Sequence, residues 1–165
     1  MGLAEPILKE LETEGVATRK VLERMPDDKF DWKPHEKSLT LGRLASHVAD
    51  LPSWVAFTVE QDVLDMGSSP PPFAAKNAEE LVARFDDQMA SARKVLQNAS
   101  DDALLKNWQM KMGDQVYIDA PKADVLRRWV LNHIVHHRAQ LSVYLRLNDV
   151  PVPAIYGASA DESDF

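Results

Sequence analysis

Apolar residues recur every three or four positions along four segments of the chain, as on helix faces that pack against a core. The first segment runs from Leu3 to Met25, and the third runs from Asn77 to about Asn98. The second begins at Thr40, a good N-cap residue, and continues to about Val63, although Pro52 is expected to kink or end it. The fourth, Pro121 to Leu147, is the longest, and its proline suits a first helical position.

The connections between these segments are not helical. Phe30 and Trp32 are expected to anchor the polar connection 26–40 to the core, and the connection 66–76 holds three consecutive prolines, which favour an extended conformation. Between Ser100 and Ala120 apolar residues alternate on both sides of Gly113, which predicts a short hairpin or another extended excursion. The sequence therefore predicts an all-α fold, a four-helix bundle with a short β-hairpin before the last helix, formed by one domain over residues 1–165.

Two histidines fall on the face that the fourth helix is expected to bury. At about 100° per residue, this face carries Leu126, Val130, His133, His137, Leu141 and Tyr144. Side chains four residues apart stack on a helix, so the imidazoles of His133 and His137 are close enough to hold one ion. His47 points inward from the second helix, because it follows Leu44 by three residues and precedes Leu51 by four.

Three neutral imidazoles suit zinc, nickel, iron or copper, and three protein ligands leave coordination positions open for water or substrate. The chain has no cysteine, so any metal site must use nitrogen and oxygen ligands. It also lacks an H-E-x-x-H motif and the repeated E-x-x-H motif of di-iron bundles. The remaining hypothesis is a mononuclear three-histidine site, and the alternative is that these histidines are ordinary hydrogen-bonded core residues.

Composition and charge exclude several other classes of protein. The 165 residues are 45% apolar and 27% charged, as in an ordinary globular domain. The formal net charge is −7 and no basic run extends beyond Arg127-Arg128, which argues against a nucleic-acid partner. No segment reaches the roughly eighteen apolar residues of a membrane span, and no signal peptide is visible. We therefore expect a cytoplasmic protein without a membrane partner.

Three stretches resemble the DinB / YfiT-like family of metalloenzymes. They are P-H-E-K-S-L-T-L-G-R-L-A-S-H-V-A-D-L-P from Pro34, L-N-H-I-V-H-H-R-A-Q-L-S-V-Y-L-R-L from Leu131, and V-P-V-P-A-I-Y-G-A-S-A-D-E from Val150. The resemblance implies a four-helix bundle with up-down-down-up connections and a divalent metal held by His47, His133 and His137. It also implies homodimers, and reactions of thiol-dependent transferases or isomerases that use mycothiol or bacillithiol.

Other residues are candidates for supporting roles. Asp50, one turn after His47, is a candidate acceptor for the N–H of that imidazole. Arg138 and Gln140 are candidates for orienting a substrate or a metal ligand. Trp54, Trp129 and Tyr144 are candidates for lining a pocket above the metal. His136 is expected on the flank of the fourth helix, and His35 in a loop.

The predicted function is that of a divalent-metal-binding protein acting as a hydrolase or a thiol-dependent transferase. Its partners would be a small-molecule substrate and a low-molecular-weight thiol, and no catalytic residue is assigned. Zinc and nickel are the foremost candidate metals, with iron and manganese as alternatives. The alternative function is a non-catalytic, metal-stabilised helical bundle, a stress-related binding or interaction protein. Since imidazole must be deprotonated to bind a metal, affinity should fall below about pH 6.

Overall fold

The computed structural model describes residues 2–69 and 71–163. Its helices are α1 (Ala4–Leu22), α2 (Leu41–Asp50), α3 (Trp54–Glu60), α4 (Ala78–Gln97), α5 (Asp101–Leu105), α6 (Lys122–Val125) and α7 (Asn132–Leu147). Its strands are β1 (Val63–Asp65), β2 (Asn107–Met112) and β3 (Gln115–Pro121). Pro70, the first residue of the proline run predicted to be extended, lies outside the described residues. Both ends of the predicted domain also lie outside them.

Helices form most of the fold and enclose the main core. Helices α1 and α2 each pack against both α4 and α7. Their apolar faces meet in one buried cluster that includes Leu11, Leu22, Leu44, Val48, Leu81, Phe85, Leu96, Leu126, Ile134, Leu141 and Leu145. A small sheet accompanies the helices, so the all-α class is confirmed only as a mostly helical fold, and the four-helix arrangement stays a prediction. None of the helices in the described part of the chain is long and apolar enough to cross a membrane.

The second predicted helix is interrupted at its proline. Thr40 caps α2, and its hydroxyl oxygen accepts a hydrogen bond from the Arg43 amide at 3.2 Å. A 3₁₀ turn over Leu51–Ser53 contains Pro52 and separates α2 from α3, because proline cannot donate within a helical ladder. Helix α3 ends at Glu60, so the prediction that this helix reaches Val63 is wrong.

The predicted hairpin is confirmed, and it belongs to a three-stranded sheet. Strands β2 and β3 pair antiparallel around Gly113, whose φ of +57° suits the first central position of a two-residue turn. Strand β1 pairs parallel to β2 and was not predicted, because three residues are too few to show alternation. The sheet packs through the buried Trp108, whose indole N–H donates to the Phe57 carbonyl of α3 at 3.1 Å.

The last predicted helix is not a regular α-helix. Between α6 and α7, residues Leu126–Leu131 form a π-helical segment. At its end the Asn132 amide donates to the Arg127 carbonyl, five residues back instead of four. Pro121 ends β3 and takes the N-cap position with a ψ of 141°, so its predicted place as the first helical residue is wrong by one position.

The π-helical segment changes which face of α7 is buried. The buried residues of α7 are Ile134, Arg138, Leu141 and Leu145. His133, His137 and Tyr144, predicted on the same stripe as Leu141, are only partly buried. The prediction assumed 3.6 residues per turn throughout, whereas each π turn takes up one more residue than an α turn. The histidines therefore lie at the border of the buried face, where solvent and ligands can reach them.

Candidate metal centre

Helices α2 and α7 run antiparallel and bring the three predicted histidines together. The Tyr144 hydroxyl donates to the Leu39 carbonyl near the start of α2 at 3.3 Å. Farther along α2, His47 meets His133, which lies earlier on α7. His137, one turn after His133, completes the group. The prediction used two features, the i, i+4 spacing on α7 and the single crossing of that helix by α2. The structure places all three side chains in one cluster.

The Nε2 atoms of the three rings face one another. Nε2 of His133 lies 2.8 Å from Nε2 of His137 and 3.3 Å from Nε2 of His47. One candidate ligand atom from each histidine lies within 4.8 Å of the others. Nitrogen ligands at about 2.0–2.1 Å from a tetrahedral zinc ion lie about 3.3 Å apart. The three nitrogens are therefore already close to the spacing that one shared ion requires.

Hydrogen bonds on the outer side of two rings select the tautomer. Nδ1 of His133 lies 3.2 Å from the Trp129 carbonyl oxygen, and Nδ1 of His137 lies 2.7 Å from Oε1 of Gln140. Both oxygens are acceptors, so each Nδ1 carries the hydrogen and each Nε2 directs its lone pair to the centre of the cluster. Metal-ligating histidines are held in this way by a carbonyl or an amide behind them.

Burial keeps the histidines uncharged. Burial is the largest cause that lowers the pKa of His47 to about 4, and the two neighbouring histidines and Arg43 lower it further. Burial also lowers the pKa of His133 and of His137, and the hydrogen bonds to Trp129 and Gln140 oppose that effect. Each lowered pKa means that the ring stays neutral to a lower pH, and the neutral ring is the form that binds a metal.

This donor set fits a divalent transition metal. Converging lone pairs on neutral nitrogens repel one another unless a cation or a shared proton lies between them. In residues 2–69 and 71–163, the group able to hold a metal consists of the three histidines alone, without a carboxylate. Imidazole-only sites suit zinc, nickel, iron and copper better than magnesium or calcium, which prefer oxygen ligands.

The other candidate residues divide into those at the cluster and those away from it. Gln140 contacts His137, as its predicted supporting role requires. Asp50 instead pairs with Arg84, its Oδ1 lying 2.6 Å from a guanidinium nitrogen, so it is not the acceptor for His47. His136 is exposed on the flank of α7, as predicted, and its ring centroid lies 4.8 Å from that of His137. His35 lies in the loop and accepts the Lys37 amide at 3.2 Å.

Arg138 faces α1, away from the three candidate ligand histidines. It is 1% exposed and pairs with Glu14 of α1 at 2.7 Å. Its guanidinium also donates to Thr18 and to the hydroxyl of Tyr156 in the C-terminal segment. The hypothesis that Arg138 orients a substrate or a ligand is therefore wrong. The residue connects α1, α7 and the segment that follows α7.

The predicted aromatic pocket does not form as one unit. Tyr144 packs edge-on against Trp32, with ring centroids 5.5 Å apart. Trp54 and Trp129 pack around Trp108 of the sheet instead. Two surface hollows of about 450 and 410 Å³ are lined by other parts of the chain, the first between the end of α1 and α4 and the second between α3, α4 and α5. Neither hollow includes a metal-ligand histidine in its lining.

A comparison with protein-family models shows which family the chain belongs to. The family model described as "DinB family" matches residues 4–164. The chain belongs to the DinB family. A relative, the uncharacterized protein YrdA of Bacillus subtilis (strain 168), is 25% identical over 156 residues, covering 94% of this chain and 89% of YrdA.

Two solved DinB-like structures share the fold. One, from Bacillus cereus ATCC 10987, superposes with a TM-score of 0.72 at 20% identity and covers 92% of this chain and 97% of its own. The other, YjoA from Bacillus subtilis, gives a TM-score of 0.70 at 15% identity, covering 91% and 96%. At these identities the likeness concerns the fold, and the case for a metal in this DinB protein depends on its own histidines.

Two features of the site were missed by sequence reasoning. The Trp129 carbonyl, which holds His133, is a backbone group within the π-helical segment, and no side-chain pattern in the sequence indicates it. Arg43 lies four residues before His47 and is close enough to lower its pKa. The spacing of four, already used for His133 and His137, was the signal that could have identified Arg43.

Proposed function

We propose that this DinB protein binds one divalent transition-metal ion through Nε2 of His47, His133 and His137, and that it is a metal-dependent enzyme. The observation that carries the proposal is the convergence of the three Nε2 atoms, with spacings of 2.8 and 3.3 Å, while two of the rings engage acceptors through Nδ1. Three protein ligands leave at least one coordination position for a small molecule, which is typical of catalytic and not of structural sites.

The residues of the chain would perform distinct tasks in such an enzyme. The bound ion would supply Lewis acidity, either lowering the pKa of a bound water or activating a substrate thiol or carbonyl group. The Trp129 carbonyl and Gln140 keep the proton on Nδ1 of His133 and His137, so that the opposite nitrogens remain donors. The packing of α2 on α7 holds His47 against both rings.

The reaction class follows from these two uses of a Lewis acid. Activation of water gives a hydrolase, and activation of a thiol gives a thiol-dependent transferase acting on a small molecule. The thiol cosubstrate, the homodimer and the cytoplasmic location are predictions from the resemblance and the composition. Zinc or nickel is the metal we propose first, and iron or manganese the alternative.

Metal content is the direct test. Protein purified without a histidine tag, and reconstituted with zinc or nickel, should contain about one ion per chain by inductively coupled plasma mass spectrometry. His137→Ala should lose it, because two imidazoles hold an ion far more weakly than three. The matched control is His136→Ala, which removes the adjacent exposed imidazole and should retain the ion. Wild-type protein that stays metal-free after reconstitution would overturn the proposal.

A second function, metal-stabilised binding without catalysis, is favoured by one observation. The two hollows described above lie away from the histidines, so neither offers a substrate pocket beside the ion. Turnover assays that combine thiols with electrophilic or hydrolysable substrates distinguish the two functions. Activity that appears with the metal and disappears in His137→Ala supports an enzyme. A loaded protein whose metal takes up no added small ligand supports the non-catalytic function.

A further inference from the structure

The arginines of this protein are almost all paired with carboxylates. The sequence has nine arginines and a net charge of −7, so acidic partners are plentiful. In the described residues, ion pairs with Asp or Glu engage seven of them: Arg19, Arg24, Arg84, Arg93, Arg127, Arg138 and Arg146. The two without a carboxylate partner in that part of the chain are Arg43 and Arg128. An arginine left unpaired in an acidic protein is a candidate site for an external anion.

Arg43 lies beside the metal centre. It precedes His47 by one turn of α2, and side chains four residues apart on a helix are neighbours. The guanidinium is half-buried, and within the described residues its hydrogen bonding is limited to the Phe73 carbonyl at 3.3 Å. Its positive charge is one of the causes that lower the pKa of His47, as expected for a neighbour four residues away on the same helix. Most of its five N–H donors therefore have no partner among the described residues.

The helices that carry the histidines provide almost no negative charge. Residues 132–147, which form α7, include no Asp or Glu, and residues 41–50, which form α2, include only Asp50. Asp50 is already neutralised by Arg84 at 2.6 Å. A divalent ion bound by three neutral imidazoles would keep its full double charge, and Arg43 would add one more. Such a site favours a negatively charged external ligand over a neutral one of the same size.

We propose that the metal centre binds an anionic small molecule through an ionised carboxylate that contacts both the ion and the guanidinium of Arg43. This inference rests on the proposed function, because it needs an ion on the three histidines. It goes further by assigning the charge of the ligand and a residue that recognises it. A guanidinium presents two parallel N–H groups, which match the two oxygens of a carboxylate.

Arg128 provides a matched comparison. It also has no carboxylate partner among the described residues, but it is exposed and stacks over the Trp129 ring at 4.7 Å. It is not among the groups that shift the pKa of any of the three histidines. Replacing Arg128 therefore removes the same charge from the same molecule without removing a donor at the cluster.

Cobalt(II) can replace the metal as a spectroscopic probe, because its visible absorption changes when a ligand joins the ion. We would titrate the cobalt-loaded protein with acetate, with 2-mercaptoethanol as a thiolate source, and with neutral imidazole, all at constant ionic strength. Arg43→Gln should weaken acetate binding about tenfold, as for the loss of one charge-assisted hydrogen bond. It should leave imidazole binding unchanged, and Arg128→Gln should change neither. A loss of 2-mercaptoethanol binding at least as large as the loss of acetate binding would overturn recognition of a carboxylate.

The outcomes separate this inference from the proposed function. If wild-type protein binds no cobalt, the proposed function fails. If it binds cobalt but Arg43→Gln binds both anions as tightly as wild type, the anion site is wrong while the metal site stands. Arg43→Lys keeps the charge but loses the two parallel N–H groups, so it should weaken acetate binding, although less than Arg43→Gln does. Wild-type protein alone also tests the idea, because a preference for neutral acetamide over acetate would overturn it whether or not the variants fold.

Discussion

At the scale of single residues, the histidines make the metal-free protein sensitive to acid. Burial lowers the pKa of His47 to about 4, whereas an imidazole in the unfolded chain titrates near its ordinary value. As the pH falls between these values, the unfolded chain takes up a proton that the folded chain does not, so folding stability falls. After allowance for solvent screening, we expect a loss of about 1–2 kcal/mol from this residue. Urea unfolding with a chelator at pH 7 and pH 4.5 measures it, and His47→Asn should show a smaller loss.

The same lowered pKa values affect metal binding. From ordinary imidazoles, the sequence predicts that affinity falls below about pH 6. Burial lowers the pKa of all three rings, so protons compete with the metal only at a lower pH. We expect affinity to hold to about one pH unit below that limit and then to fall steeply, because three rings take up protons. Competition with a chromogenic chelator from pH 7 to pH 4 measures this, and a loss already complete at pH 6 would contradict it.

The buried ion pair of Glu14 and Arg138 is expected to matter far more than pairs at the surface. Arg138 is 1% exposed, and its partner carboxylate lies 2.7 Å away. Glu14→Gln leaves a buried guanidinium without its counter-charge, which costs about 3–5 kcal/mol of unfolding free energy. Glu12→Gln is the control, because Glu12 lies on the same helix as Glu14. Its ion pair with Arg93 of α4 has the same length but is about half exposed, so it contributes at most about 1 kcal/mol. Equal losses in urea unfolding would contradict this distinction.

At the scale of elements, two helix glycines should respond oppositely to alanine. A Cβ on Gly42 would lie 2.5 Å from Cδ1 and 2.9 Å from Cγ of the Phe30 ring, which packs on the first turn of α2. A Cβ on Gly15 would meet only the flexible end of the Met89 side chain, with Cε at 2.5 Å and Sδ at 3.5 Å. We expect Gly42→Ala to destabilise the protein by about 1–3 kcal/mol, and Gly15→Ala to change stability by less than about 1 kcal/mol. The free energy of unfolding in urea measures both, and a neutral Gly42→Ala would show that Phe30 can move aside.

The same elements show what the sequence could and could not reveal. Helix positions followed from apolar spacing, Thr40 as a cap and Pro52 as a break, because these signals are local. Strand β1 is too short for a pattern, and its pairing with β2 depends on residues far along the chain. The π-helical segment before α7 changes the helical period, so a stripe calculated at 100° per residue placed the histidines on the wrong part of the face.

At the scale of the whole molecule, the candidate site was the most predictable feature and its surroundings were the least. The spacing of His133 and His137 and the inward position of His47 were enough to name all three members of the cluster. The partners of charged residues could not be inferred from spacing. Asp50 and Arg138 lie within three residues of a ligand histidine in the sequence, yet one pairs with α4 and the other with α1. Charge pairs between helices depend on the tertiary arrangement, which a single sequence does not specify.

A metal at this position would join two helices that are far apart in the sequence, and so should stabilise the whole fold. His47 belongs to α2, His133 and His137 belong to α7, and both helices contribute to the main core. An ion that binds only the folded chain stabilises it by about 2.7 kcal/mol at one hundred times its dissociation constant. For a chain of this size, we expect an increase of about 5–10 °C in the melting temperature.

Thermal unfolding with zinc and with a chelator measures this effect. His137→Ala should remove the zinc-dependent increase, and His136→Ala should retain it, since the exposed ring is not part of the cluster. An equal increase in both variants would mean that zinc binds elsewhere on the protein. No increase in wild-type protein that demonstrably contains one ion would mean that the unfolded chain binds the metal as tightly as the folded one. Stabilisation that depends on His137 and His47 but not on His136 is the result expected only if the ion connects α2 to α7.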